Sequence, residues 1–221
     1  MAAVAADRDS ELLSIVVLGE FNPAIFQPAW FANEGLLRPG EADAAEVEII
    51  HRDVAIFTAE WVRVQVTHDR MHIRTERESD FDALRDLVVG TLSLLRHTPT
   101  YVVGVNHDAT LRFRDRDHFD DFGWRLSPPE IWDGALERPG VAQLQEQGLR
   151  PDDFDGYVRV GVEPILDNSY RAVVGVNDHY LLSPRPAADS TGRINDLLVA
   201  EWKAIASRSV QIITHMAGLA G

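Results

Sequence analysis

Two short segments carry the residue types that acid–base chemistry or polar binding requires. Residues 106–108 read Asn-His-Asp and residues 177–179 read Asn-Asp-His, and each segment follows a valine-rich run typical of a strand. Side chains alternate along a strand, so the first and third positions of each segment share a face, where they could bind a polar ligand or act as acid and base. The predicted ligand-binding residues are Asn106, Asp108, Asn177 and His179.

The same residue types also have a structural explanation. Asn, Asp and His are common at strand ends and turns, where their side chains bond to nearby backbone groups. This interpretation is favoured over catalysis, and we predict no catalytic residue in the chain.

The usual motifs of enzymes and metal proteins are absent from the sequence. With no cysteine there is no disulfide, no thiolate nucleophile and no cysteine-based zinc site. The P-loop, the dinucleotide-binding glycine pattern and the G-x-S-x-G elbow are also missing. Histidines and aspartates lack the spacing of a helical metal motif or an EF-hand loop. We therefore predict no metal and no cofactor, and we favour a non-enzyme while leaving an enzyme open.

Charge and hydropathy argue against nucleic-acid and membrane partners. The chain has 21 Lys and Arg against 35 Asp and Glu, a net charge of -14, whereas phosphate-backbone binding requires basic residues. Arginines at 112, 114 and 116 alternate with Phe113, Asp115 and Asp117, which is more typical of a solvated strand. No apolar run is long enough to span a bilayer. Charges interrupt the N-terminal apolar residues where a signal peptide would need none, so we expect a cytoplasmic protein.

Hydrophobic periodicity predicts an α+β fold built mainly from an antiparallel sheet. Residues 1–11 are expected to be disordered, and the apolar run Leu12–Leu18 predicts a buried strand. Alternating apolar residues over Glu46–Glu76 predict a strand meander. Further strands are predicted at Tyr101–Arg114, Tyr157–Val162 and Arg171–Leu182.

Helical spacing marks a mid-chain helix over Phe81–His97 and a long amphipathic helix from Ile194 to Ala217. A shorter helix is expected at 117–126. Residues 127–156 are rich in proline, glycine and acidic residues, which is typical of a connector. We predict one globular domain over residues 12–221, with β-rich lobes at about 12–126 and 157–221.

Two phrases recur along the chain: WVRVQV at 61 with YVRVGV at 157, and VVGVN at 102 and again at 173. Duplication predicts that the lobes pair around a pseudo-twofold axis with their VVGVN strands equivalent. Alternatively, valine-alternating strands resemble one another through composition alone. The sequence does not decide between the two explanations.

The segment from Phe21 to Phe31 is unusually aromatic, and the C-terminal helix carries a tryptophan on its apolar stripe. Aromatic side chains anchor many recognition surfaces, although such residues more often close the end of a sheet or pack a helix on its own sheet. The predicted partner-binding residues are Phe21, Phe26, Trp30, Phe31 and Trp202.

The order of elements from Trp61 onward resembles a sporadically distributed family of uncharacterised bacterial proteins of about this length. The shared layout is a strand meander, a helix, an Arg- and Asn-bearing strand, an acidic connector, a hairpin and a long final helix. The resemblance covers about two thirds of the chain. It implies no activity, but it favours an accessory gene, for example in a mobile-element or phage-defence locus.

The preferred hypothesis is a non-catalytic intracellular binding or accessory protein that contacts another protein or its own copies as an oligomer. The absence of catalytic motifs carries most of this preference. The alternative is a small-molecule-binding protein or enzyme with a polar site between the two lobes, around residues 106–108 and 177–179.

Overall fold

Nine antiparallel strands form one sheet in the computed structural model, which describes residues 6–167, 169–187 and 189–219. The strands are β1 (Asp7–Gly19), β2 (Glu46–Ile50), β3 (Val54–Ala59), β4 (Val62–Thr67), β5 (Arg70–Thr75), β6 (Thr100–Arg112), β7 (Leu144–Leu149), β8 (Gly156–Ile165) and β9 (Arg171–Leu181). Their order across the sheet is β2-β3-β4-β5-β1-β6-β9-β8-β7. The predicted α+β class with a mainly antiparallel sheet is confirmed.

Five α-helices and three short 3₁₀ turns complete the described chain. The helices are α1 (Pro28–Asn33), α2 (Pro39–Asp43), α3 (Phe81–Leu94), α4 (Arg116–Leu126) and α5 (Ser190–Gly218), and the 3₁₀ turns are Pro23–Ile25, Glu78–Asp80 and Pro129–Trp132. The predicted mid-chain and C-terminal helices correspond to α3 and α5. No helix in the described residues has the length and apolar character needed to cross a membrane.

The first strand is longer than its apolar run suggested. β1 begins at Asp7, so residues 7–11, which were expected to be disordered, are paired with β6. Ser10 and Glu11 lie opposite Thr110 and Ala109, and main-chain pairing holds this polar stretch where burial alone would not. Residues 1–5 of the expected disordered start lie outside the described residues.

The sheet has two faces of different character. Helices α3 and α5 pack on one face, here called the helix face, and burial alternates residue by residue along β4 and β9. Fully buried residues of this core include Ile15, Phe57, Val64, Ile73, Leu84, Val174, Ile194 and Leu198. Within the described ranges, no helix makes a hydrogen bond or ring contact to the opposite face, here called the open face, and its side chains stay mostly half-buried.

The two VVGVN copies lie on neighbouring strands, β6 and β9. Their register places Asn106 opposite Asn177, Gly104 opposite His179 and Asp108 opposite Gly175. Rotation by half a turn about the Asn106–Asn177 pair therefore exchanges the two copies. The other repeated motif, WVRVQV on β4 and YVRVGV on β8, does not follow this symmetry. β8 adjoins β9, whereas β4 is three strands away from β6. Duplication stays a prediction.

The predicted connector contains an unpredicted strand. β7 forms the outer edge of the sheet and pairs only with β8. The strands of the two predicted lobes belong to one sheet. The lobes meet where β6 pairs with β9.

Candidate functional site

The four predicted ligand-binding residues lie side by side at the centre of the open face. Asn106 and Asp108 project from β6, and Asn177 and His179 project from the matching positions of β9. They are not at strand ends, as their residue types suggested, because β6 continues to Arg112 and β9 to Leu181. Strand pairing, not turn geometry, brings these side chains together.

A chain of amide hydrogen bonds crosses three strands at this site. The Asn106 Nδ2 group donates to Ser14 Oγ on β1 at 3.2 Å. Asn177 Nδ2 in turn donates to Asn106 Oδ1. The Asn177 carbonyl oxygen has no hydrogen-bond partner among the described residues, so it can accept a hydrogen bond from a ligand.

The carboxyl of Asp108 packs over Gly175 on the neighbouring strand. A Cβ atom at residue 175 would lie 2.6 Å from Asp108 Oδ1, so the glycine provides the room for this side chain. Asp108 makes no hydrogen bond within the described chain. Burial raises the pKa of this carboxyl, and only the neighbouring His107 opposes the shift. The site therefore contains a half-buried carboxyl with free hydrogen-bonding capacity.

The imidazole of His179 stacks on the ring of Tyr157 from β8. The ring centroids are 4.3 Å apart and the planes differ by 6°. The guanidinium of Arg159 lies over the ring of Tyr157, 4.7 Å from its centroid. Burial, together with Arg159 and Arg150, lowers the pKa of His179. A neutral imidazole can both donate and accept a hydrogen bond.

Tyr157 and Arg159 were not among the predicted site residues. Both belong to the phrase YVRVGV, whose period of two places them on one face of β8. The sequence predicts that Tyr157 and Arg159 share a face of the strand, but it does not predict which residues lie beside them. The pairing of Tyr157 with His179 depends on the β8–β9 register.

The middle residues of the two segments point to the helix face, where His107 ties α5 to the sheet. Its Nδ1 atom lies 2.9 Å from Ser209 Oγ, and its Nε2 atom lies 2.7 Å from Glu11 Oε2. These groups border a mostly apolar cavity of about 120 Å³ between helix and sheet. The Ser209 hydroxyl donates to the Ala206 carbonyl of its own helix at 3.0 Å, so its proton is not directed at the imidazole. We interpret this trio as a structural link, not a nucleophile and its base.

Asp178 anchors a buried ionic cluster on the helix face. Its carboxylate accepts hydrogen bonds from Arg150 and Arg208, and Asp152 bonds to both arginines. The guanidinium of Arg150 also lies 3.5 Å from the centroid of Tyr180. Burial opposes the charge of Arg150, but the two aspartates outweigh it and raise its pKa. The cluster joins the connector and α5 to β9.

The predicted partner-binding residues lie in the protein's own core. Phe21, Phe26 and Phe31 are at most 5% exposed, and Trp30 packs against them. Trp202 is 5% exposed, and its indole nitrogen donates to Asp82 Oδ1 at 2.6 Å. These side chains close one end of the sheet and dock α5, and they present little surface to a partner.

Within residues 6–167, 169–187 and 189–219, no group of three or more acidic or histidine side chains is arranged to hold a metal ion. Comparison with protein-family models and with curated proteins gives no match for this chain. The layout resemblance to a family of bacterial proteins therefore stays a prediction.

Proposed function

We propose that this protein binds a small polar ligand at the centre of the open face. One observation carries the proposal: residues 71 positions apart in the chain converge there, yet the site keeps unused hydrogen-bonding capacity. The Asp108 carboxyl, the Asn177 carbonyl oxygen and the ring nitrogens of His179 all lack partners among the described residues. Polar groups that are half-buried and unpaired have lost hydrogen bonds to water without gaining others in the protein. A ligand would supply the missing hydrogen bonds.

The groups at the site favour a planar ligand that donates hydrogen bonds. The Asn177 oxygen accepts, Asp108 accepts when ionised, and His179 does either. The stacked rings of His179 and Tyr157 lie beside these polar groups and add an aromatic contact. Amides and nitrogen heterocycles combine a planar shape with N–H donors, and they are the ligand class that fits.

The spacing supports binding over acid–base catalysis. Asp108 lies opposite Gly175, and His179 is four residues further along β9, which is roughly 13 Å at the rise of an extended strand. A general acid and a general base acting together must both reach the reacting atoms within hydrogen-bond distance. At this backbone separation, the two side chains do not converge on one reacting atom as directly as a paired acid and base would.

An NMR screen of small amides and nitrogen heterocycles against the ¹⁵N-labelled protein tests the proposal. Bound compounds should perturb the signals of Asn106, Asn177 and His179. The Asn177→Ala variant should weaken binding about tenfold, as expected for the loss of one or two hydrogen bonds. Gln145→Ala, at an exposed position on the outer strand β7 of the same face, serves as the matched control. Perturbations confined to other surfaces, or equal affinity in both variants, would contradict the proposal.

A second candidate function is association with another protein or with a second copy of this chain. It is favoured by large apolar side chains exposed along the connector, where Leu149 is 93%, Ile131 67% and Leu136 56% exposed. These three side chains belong to one segment of the chain, and exposed apolar surface can serve as an interaction site. Size-exclusion chromatography with light scattering tests self-association, and a strictly monomeric profile at high concentration would remove it. If dimers form, Leu149→Glu should disrupt them, whereas Val199→Glu, on the exposed side of α5, should not.

A further inference from the structure

A second polar group lies on the open face, two strands away from Asn106. Arg63 and Gln65 project from β4, and Arg74 and His72 lie opposite them on β5. These four side chains line a hollow of about 180 Å³. The β5 pair adjoins Ser14 and Val16 of β1, so the hollow is continuous in register with the central site without sharing residues with it.

Three of the four side chains are unpaired. Arg63 donates to both carboxylate oxygens of Glu48 and to Thr58 Oγ1. By contrast, Gln65, His72 and Arg74 make no hydrogen bond or ion pair within the described chain, although all three are half-buried. A half-buried guanidinium without a hydrogen-bonded partner has lost hydration, and Arg74 has only the longer-range attraction of Glu48 in return.

The hollow has a positive electrostatic character in a strongly acidic chain. The charged groups that face His72 are Arg70 and Arg74 on its own strand and Arg63 on β4. Glu48, from β2, is the nearby charge of opposite sign, and it is held by Arg63. The groups facing His72 from β1 carry no charge. Burial, followed by the three arginines, lowers the pKa of His72, as expected where positive charge is in local excess.

We propose that Gln65, His72 and Arg74, backed by Arg63, form a binding site for an oxyanion, the carboxylate or phosphate group of a ligand. The planar guanidinium of Arg74 offers parallel N–H donors that match such a group. The side-chain amide of Gln65 and the imidazole of His72 add further donors. The site does not depend on the role of the central residues.

Titration of the His72 Hε1 NMR signal with inorganic phosphate or acetate tests this site directly. Binding should shift the signal saturably and raise the pKa of His72, because an anion offsets the arginines around it. Comparing the two anions distinguishes a phosphate from a carboxylate site. Phosphoserine then distinguishes a phosphorylated side chain from free phosphate. No saturable shift with any of these probes would overturn the proposal.

Substitution separates this site from general charge effects. Arg74→Gln should weaken oxyanion binding by at least about tenfold, the scale of a lost charge-assisted hydrogen bond. Arg96→Gln removes the same charge beyond the end of α3 and should leave binding unchanged. If Arg74→Gln does not fold, Arg74→Lys keeps the positive charge but lacks the parallel N–H donors of the guanidinium. This variant should still bind the oxyanion more weakly than the unmodified protein does. Asn177→Ala should have no effect here, so failure at one site is distinguishable from failure at the other. Equal losses in the Arg74 and Arg96 variants would overturn the proposal.

Discussion

At the scale of single residues, Asp108 is the clearest case of a group held in an unfavourable state. Its carboxyl is half-buried on the open face, and burial raises its pKa above that of an exposed aspartate. The folded protein therefore binds a proton at this position more readily than the unfolded chain does. Linkage then requires the contribution of Asp108 to stability to be fully present at low pH and to be lost as the pH rises through its folded pKa.

Replacing Asp108 by asparagine should consequently stabilise the protein at neutral pH. The gain in melting temperature should shrink as the pH falls through the raised pKa of the native carboxyl, and it should have largely gone below about 4, where Asp108 becomes protonated in the unfolded chain as well. Circular dichroism melts across this pH range measure the difference. Asp121→Asn, at an exposed position of helix α4, is the control. A gain that is independent of pH would show that Asp108 is not held in an unfavourable ionised state.

Trp202 illustrates how a residue type common at interfaces can serve the interior. Trp202→Ala should lower the free energy of unfolding by about 3–5 kcal/mol, because it leaves a cavity between α5 and α3 and removes the hydrogen bond from the indole to Asp82. Val210→Ala, at a 40% exposed position of the same helix, should cost far less. Urea denaturation measures both. A small loss of stability together with weakened association between copies of the protein would instead support the prediction that Trp202 contacts a partner.

At the scale of elements, the ionic cluster decides how the connector and α5 attach to the sheet. Asp178→Ala should destabilise the fold by about 3–5 kcal/mol, because it leaves Arg150 and Arg208 without their buried partner. Asp153→Ala, at an exposed position of the connector, is the control. Chemical denaturation distinguishes them. Equal, small effects would mean that the connector is held mainly by apolar contacts.

Most strands could be predicted because a strand with one buried face alternates in sequence. The start of β1 and the whole of β7 could not, since both are polar and main-chain pairing holds them. The repeated VVGVN motif predicted that the two polar segments lie together only under the duplication hypothesis, which the sequence does not decide. Tyr157, and the hollow containing Arg74, depend on which strands are neighbours, and periodicity carries no information on strand order.

At the scale of the whole molecule, the sheet is expected to be most stable at its centre and least stable at its edges. β1 and β6 have a paired strand on both sides, whereas β2 and β7 each have one. Native-state hydrogen exchange should therefore show the slowest amides in β1 and β6 and much faster exchange in β2 and β7. Equal protection of amides from exchange in all nine strands would indicate that another molecule covers the edge strands in solution. Association through β7 would have this effect on that edge.

The symmetry of the VVGVN pair extends only to the backbone. Position 108 in one copy corresponds to position 179 in the other, and these hold an aspartate and a histidine. On the outer sides, Asn106 faces Ser14 whereas Asn177 faces Arg159. A molecule lying across the two asparagines would meet a carboxyl at one end and an imidazole at the other. Under the proposed function, only one of its two orientations would satisfy both ends, and the site would select the direction in which a ligand lies.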